Sequence, residues 1–242
     1  MAQASKLFIA IDPASELEPQ PPSRWGLWRE ASVALEFAQL ALRYPSLTRD
    51  KRTFEHPVVL FPGFGTSEAA MTVLHHYLKS IGAEVHHWGL GRNHGYVPDL
   101  LAQALERVRQ LAAAQKPVHL VGWSLGGYIA REVAREIPGQ VGRVVTMGTP
   151  VVGGPKFTAV GALYKSWGFD LDAMARDVEM RAAVPITNEV LAIYSKADAV
   201  VDWQACIDKS SPRVVHAEVT GSHLGLGVNA KVFELVRDFL VN

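Results

Sequence analysis

Cysteine occurs once in this chain, at Cys206, which excludes an internal disulfide and suits a reducing, cytoplasmic setting. An excess of charge of one sign is missing as well. Lys and Arg number 24 and Asp and Glu 24, so the electrostatic footprint of a nucleic-acid partner is absent. No apolar run approaches the length of a transmembrane helix. The apolar residues 7–11 (LFIAI) are too few for a secretory signal, and no small-residue cleavage pattern follows them. No internal repeat is visible, and neither is a cluster of Cys and His at metal-ligand spacing. No metal or other cofactor is therefore expected.

What is present is apolar content, 48% of 242 residues, enough for one large α/β domain. Residues 1–44 divide from the rest. Four prolines between 12 and 23 make that stretch an extended arm, and an edge strand is expected at 7–11 before it. Residues 25–44 then read as a helix. Arg29, Ser32, Glu36, Gln39 and Arg43 form one polar stripe on a 3.6-residue period, and Trp28, Val33, Leu35, Phe37, Leu40 and Leu42 cover the remaining surface. Burying each large apolar side chain is worth roughly 1.5–3 kcal/mol, so the apolar face is expected to be covered. The main domain, a second subunit in a homodimer and a membrane surface all stay open as its cover, the first being preferred.

From residue 45 onward strands alternate with helices. Strands are expected at 56–61, 84–88, 118–122, 143–147, 190–194 and 213–219, and helices at 67–80, 98–115, 125–137 and 229–240. This rhythm argues a mostly parallel sheet with helices on both faces, whose ligands gather at the carboxyl ends of the strands. The rhythm breaks at about 148–189. Roughly forty residues intervene there, far above the usual connection length, and they carry Leu163, Tyr164, Trp167, Phe169 and Met174. An apolar insertion at the ligand end of a sheet reads as a cap or lid, its alternative being a helical crossover with a small core of its own.

The chemistry centres on residues 118–131, VHLVGWSLGGYIAR. A short β-branched run, Gly122-Trp123-Ser124-Leu125-Gly126, then a helical pattern is the order strand, sharp turn, helix of a nucleophile elbow. Only roughly 0.08 G-x-S-x-G matches are expected by chance in a chain this long. Asp198 follows a later strand and His223 the last one, giving the chain order Ser…Asp…His. Ser124 would attack, His223 would take and return its proton, and Asp198 would hold the imidazole in the right tautomer. Asp202 is the rival acid. Among other histidines, neighbours His75 and His76 on a helix, and His86 and His87 on a strand, diverge and cannot chelate together. His119 and His216 lie inside strands and should be packed, and His94 is a minor candidate for the site mouth.

On GWSLGG at 122–127, SKADAVVD at 195–202, GSHLG at 221–225 and VTMGTPVVGG at 145–154, the chain resembles α/β-hydrolase-fold serine hydrolases of the bacterial esterase and lipase kind over residues 57–240. The resemblance implies the α/β-hydrolase fold, with a cap inserted at about 148–189. It also implies an oxyanion hole from the backbone N–H groups of Phe64 and Leu125. Many such relatives carry His-Gly in the first loop, where this chain has Pro62-Gly63, and no HGGG run occurs. The expected activity is hydrolysis of a carboxylic ester with an apolar or acyl-chain substrate through an acyl-serine intermediate. Thioester hydrolysis, acyl transfer with the same triad, and a non-catalytic binding protein on this fold are the alternatives.

Overall fold

The computed structural model describes residues 18–113 and 116–241. The expected edge strand at 7–11 lies outside the described residues. Six strands form one parallel sheet in the order β2-β1-β3-β4-β5-β6: β1 Val58–Phe61, β2 Val85–His87, β3 Val118–Trp123, β4 Val141–Met147, β5 Glu189–Tyr194 and β6 Val214–Glu218. Because successive side chains of a strand point to opposite faces, each strand feeds two cores. Val58, Leu60, Val121, Val145, Met147, Leu191 and Ile193 face one core, and Val59, Phe61, Leu120, Val144 and Val190 the other.

Helix α1 (Val33–Leu47), α2 (Thr72–Ser80) and α7 (Ala230–Val241) cover the first face through Leu40, Leu47, Leu74, Leu78, Phe233 and Val236. Helix α3 (Val97–Ala112) and α4 (Leu125–Glu136) cover the second through Leu100, Ala104, Val108, Ile129 and Val133. The chain leaves β1 toward β2 on one side and later returns to lay β3 on its other side. The strand order therefore reverses between β1 and β3, and a crevice opens there beyond the strand ends. Register aligns those ends: Phe61 pairs with Gly122, Trp123 with Met147, Met147 with Ile193 and Tyr194 with Glu218. Loops 62–66, 195–202 and 219–223 and the β3–α4 turn thus share one rim.

The segment between β4 and β5 holds a 3-10 turn (Gly154–Phe157), α5 (Gly161–Ser166) and α6 (Leu171–Ala182). It lies over the rim. Thr158 bridges Val201, Ala159 N–H donates to Val200 O at 2.7 Å, and the Tyr164 hydroxyl donates to Gly95 O at 3.2 Å.

The N-terminal helix departs from the reading of its sequence. Its first nine residues, Arg24–Ser32, are wound as a 3-10 helix before α1 begins, and α1 runs past Pro45 to Leu47. It packs on α7 and on the turn Leu224–Val228, and Arg43 Nη2 donates to Glu234 Oε1 at 2.6 Å. Its buried face carries Glu30, Glu36, Leu40 and Leu47, whereas Trp28 is 77% exposed and Leu42 84%, with Leu35 and Phe37 also exposed. The polar stripe that should have faced water thus contributes Glu36 to the interior, and most of the apolar surface stays outside. The reason lies in what the domain offers here, a set of backbone N–H groups that need acceptors.

Candidate active site

Ser124 stands between β3 and α4 with φ 54° and ψ −125°, the one non-glycine residue of positive φ among the described residues. Such backbone strain persists only where the surroundings over-determine it. They do so here. Ser124 N–H donates to Met147 O at 2.8 Å, and Thr149 Oγ1 donates to Ser124 O at 3.0 Å. The turn is so tight that side chains are excluded around it. A Cβ on Gly122 would lie 2.4 Å from Gly127 Cα, and one on Gly126 would lie 2.3 Å from Phe61 O. The glycines of the motif therefore serve close backbone approach, bringing the start of α4 against the end of β1.

Asp198 and His223 meet from the loops after β5 and β6. His223 Nδ1 lies 2.6 Å from Asp198 Oδ2, and both side chains are almost wholly buried. The other oxygen, Asp198 Oδ1, accepts from Val200 N–H at 2.8 Å and Val201 N–H at 2.7 Å. Both oxygens of this carboxylate are thus engaged, Oδ1 by two backbone donors and Oδ2 by the imidazole, which sets its angle to the ring. Asp202 is engaged elsewhere. Its Oδ1 accepts from Gln204 N–H at 3.1 Å, capping the turn Trp203–Cys206, and its Oδ2 accepts from Gln20 N–H at 2.5 Å. From the other side, Trp123 Nε1–H donates to His223 O at 3.2 Å.

Ser124 and His223 line one cavity of about 500 Å³. Among the described residues the Ser124 hydroxyl makes no hydrogen bond, so Ser124 and the imidazole share this space without a direct bond between them. Phe64 and Leu125 also line it, and Leu125 opens α4, where helix N–H groups have no partner within the helix. Gly65 N–H donates to Asn93 O at 2.8 Å and Asn93 Nδ2 donates to Pro62 O at 2.9 Å, which ties down the loop that carries Phe64. Neither the buried Asn93 nor Trp123 was singled out from sequence, since a lone Asn in a loop gives no pattern to read.

The β4–β5 segment supplies much of the cavity wall, through Val160, Tyr164, Phe169, Met174 and Val178. Of the five large apolar and aromatic residues noted in this insertion, Tyr164, Phe169 and Met174 line the space. Leu163 and Trp167 are exposed, and Trp167 packs its ring 6.0 Å from that of Phe64 on the outside. Tyr164 takes the inner place. Burial pushes its hydroxyl pKa up to about 12, so it remains a neutral donor across the working range.

Other reactive groups are occupied. Burial raises the thiol pKa of Cys206 and keeps it protonated, hence a poor nucleophile. His94 is turned toward Asp99 at 3.4 Å and does not line the cavity. The rings of His75 and His87 stack at 4.5 Å. No group of three or more His, Cys, Asp or Glu placed to hold a metal occurs among the described residues. Likewise, no helix among them is long and apolar enough to cross a membrane.

Residues 45–181 match the family model described as alpha/beta hydrolase fold. Among curated proteins the chain is similar to a pimeloyl-[acyl-carrier protein] methyl ester esterase of Methylococcus capsulatus, 43% identical over 68 residues. That match spans 27% of this chain and only 25% of the relative. Among solved structures it is similar to the metagenome-derived lipolytic enzymes LipS and LipT, with a TM-score of 0.62 at 14% identity over 78% of this chain and 96% of the other. A monoacylglycerol lipase of Paleococcus ferrophilus superposes with a TM-score of 0.59 at 17% identity, over 78% of this chain and 96% of that one. The strained serine after β3, the reversed strand order beside it and the match over residues 45–181 agree, and the chain belongs to the alpha/beta hydrolase fold family.

Proposed function

We propose that this protein hydrolyses carboxylic esters of apolar acyl chains through a covalent acyl-Ser124 intermediate. The observation that carries the reading is the buried Asp198–His223 pair, 2.6 Å apart, opening on the same apolar-walled cavity as the strained Ser124. His223 Nε2 takes the Ser124 proton as Oγ adds to the ester carbonyl. The oxyanion so formed is met by the N–H groups of Phe64 and Leu125, which need only be fixed dipoles to favour it. The tetrahedral intermediate collapses, the bond to the alcohol oxygen breaks, and His223 passes its proton to the leaving alkoxide. Water then repeats the sequence on the acyl-enzyme and releases the carboxylic acid. Asp198 stays ionised and stabilises the imidazolium of both steps.

Similarity to a named acyl methyl ester esterase supports an acyl ester over other substrates, and the wall of Val160, Phe169, Met174 and Val178 supports an apolar chain. Each methylene buried in that space contributes about 0.8 kcal/mol, a gain of roughly fourfold in kcat/KM where the contact is kept in the transition state. The test is a series of p-nitrophenyl esters from acetyl to octanoyl, with a fluorophosphonate probe and mass mapping of its adduct. A rising kcat/KM with label on Ser124 is expected. No hydrolysis of any member and no label would refute the reading, and transfer of the acyl group to added alcohol would recast it as acyl transfer.

A further inference from the structure

Two carboxylates of the N-terminal helix reach into the loops that carry the acid and the base. Glu30 is buried, and its Oε1 accepts from Ala199 N–H and from His223 N–H, each at 3.1 Å, while its Oε2 accepts from Leu224 N–H at 2.8 Å. Glu36, also buried, accepts at Oε1 from Ser222 N–H at 2.9 Å and from the Ser32 hydroxyl at 2.9 Å. Its Oε2 is buried without a hydrogen-bond partner and is seated on Gly225, where a Cβ would lie 1.2 Å from it. Three successive N–H groups, Ser222 to Leu224, are therefore held from a segment some 190 residues earlier in the chain.

These N–H groups open the 3-10 turn Leu224–Val228, with His223 as its N-cap residue, and would otherwise be orphaned in a buried position. Ordinarily a local Ser, Thr, Asp or Asn would satisfy them. Here Glu30 does so, and the same carboxylate holds Ala199, the residue next to Asp198. One group thus ties the loop after β5 to the loop after β6. Neither loop is held by sheet hydrogen bonds at these positions, yet the pair they carry must meet at 2.6 Å and stay aimed at Ser124.

We propose that Glu30, with Glu36 behind it, is a positioning residue: the N-terminal helix clasps the His223 and Asp198 loops and sets the imidazole against Ser124. It rests on the reading of the site as a serine hydrolase. In Glu30→Gln one acceptor oxygen is kept and the other becomes an NH₂ that cannot accept from Leu224 N–H. We expect kcat for a short p-nitrophenyl ester to fall by about 10- to 100-fold with KM within about twofold, as for displacement of a catalytic group rather than loss of binding. Gly225→Ala leaves Glu30 in place and drives the Glu36 carboxylate off the loop, and about a threefold loss in kcat is expected from that smaller displacement.

A readout independent of turnover is the far-downfield proton resonance of the His223 Nδ1–H···Asp198 bond. It should be sharp in the wild type, and broadened or lost by faster solvent exchange in Glu30→Gln at temperatures where the variant remains folded. Folded Glu30→Gln with wild-type kcat and an unchanged resonance would overturn the clasp. Should Glu30→Gln fail to fold, Gly225→Ala decides, and unchanged kcat and resonance there overturn it equally. A wild type that hydrolyses no ester would refute the catalytic reading, while loss of the resonance in the variants would still uphold the clasp.

Discussion

The elbow, residues 118–131, and the N-terminal helix, residues 24–47, both deliver groups to the same rim, and they obey different rules. At the elbow the backbone itself makes the demand. Gly122 and Gly126 are present because no Cβ fits where β3, α4 and β1 converge, so the residues that shape the turn are neighbours in the chain. In the N-terminal helix the demand comes from elsewhere. Glu30 and Glu36 are buried where they accept from Ala199, Ser222, His223 and Leu224 N–H groups that have no partner in their own loops. Local geometry leaves a motif, and a distant partner leaves none. The helix accordingly docks through a face that its hydrophobic pattern does not mark, and Trp28, Leu35, Phe37 and Leu42 lie on the outer surface of the chain.

The largest effect that would sharpen the contrast is at the elbow. Ser124→Ala is expected to lower kcat/KM by roughly 10⁴-fold or more with unfolding still cooperative, measured on the best p-nitrophenyl ester. Asp198→Asn should come close, at about 10⁴-fold, because an amide stabilises the wrong imidazole tautomer. Asp202→Asn, by contrast, alters the cap of the turn Trp203–Cys206 and the acceptor for Gln20 N–H, neither of which touches His223, and should leave kcat within about threefold. Reversal of the last two results would move the acid to Asp202.

On the N-terminal helix the inner and outer faces should part in stability. Leu40→Ala is expected to cost about 2–5 kcal/mol in urea unfolding because Leu40 is packed in the α1–α7 core. Leu42→Gln, on the exposed face of the same helix, should change it by less than about 0.5 kcal/mol. A large loss from Leu42→Gln would mean that the outer face is covered in solution.

A smaller effect belongs to the strand beneath the elbow. His119 is buried between β1 and β4, faces His56, Arg143 and Glu189, and accepts from Arg143 N–H at 2.9 Å. Burial first, then the neighbouring His56 and Arg143 charges, lowers its pKa from 6.5 to about 3. The unfolded chain therefore binds a proton that the folded one refuses as pH falls. Stability should be whole above about pH 6.5 and decline toward pH 3 by about 1 kcal/mol per pH unit. His119→Gln, which keeps an acceptor, should flatten that slope in urea titrations at pH 7.5 and 5.5. An unchanged slope would show that His119 does not set it.

Much of the fold could be read directly. The strands at 118–122 and 190–194 and the helix at 125–137 were legible within a residue or two, because β-branched runs and 3.6-residue periods are local consequences of burial. Sheet parallelism followed from strands alternating with helices of crossover length. Of the candidate site, the motif and chain order single out Ser124 and His223, which line one cavity, and the place after β5 favours Asp198, which meets His223, over Asp202. The wall of the cavity was half legible. Tyr164, Phe169 and Met174 of the apolar insertion line it, whereas Leu163 and Trp167 lie outside, since apolar character does not say which way an inserted helix turns.

By itself, then, the sequence determined the alternation of strand and helix, the tight glycine-flanked turn at Ser124 and the chain order Ser124, Asp198, His223 after successive strands. Each is dictated by residues in contact along the chain. Only the tertiary structure decided that Asp198 and not Asp202 meets His223, and that Tyr164 and not Trp167 walls the cavity. It alone decided, too, that Glu30 and Glu36 turn inward. Those choices depend on which unpaired donors and which empty volumes distant segments bring together, and a buried N–H group draws a carboxylate across any separation in sequence.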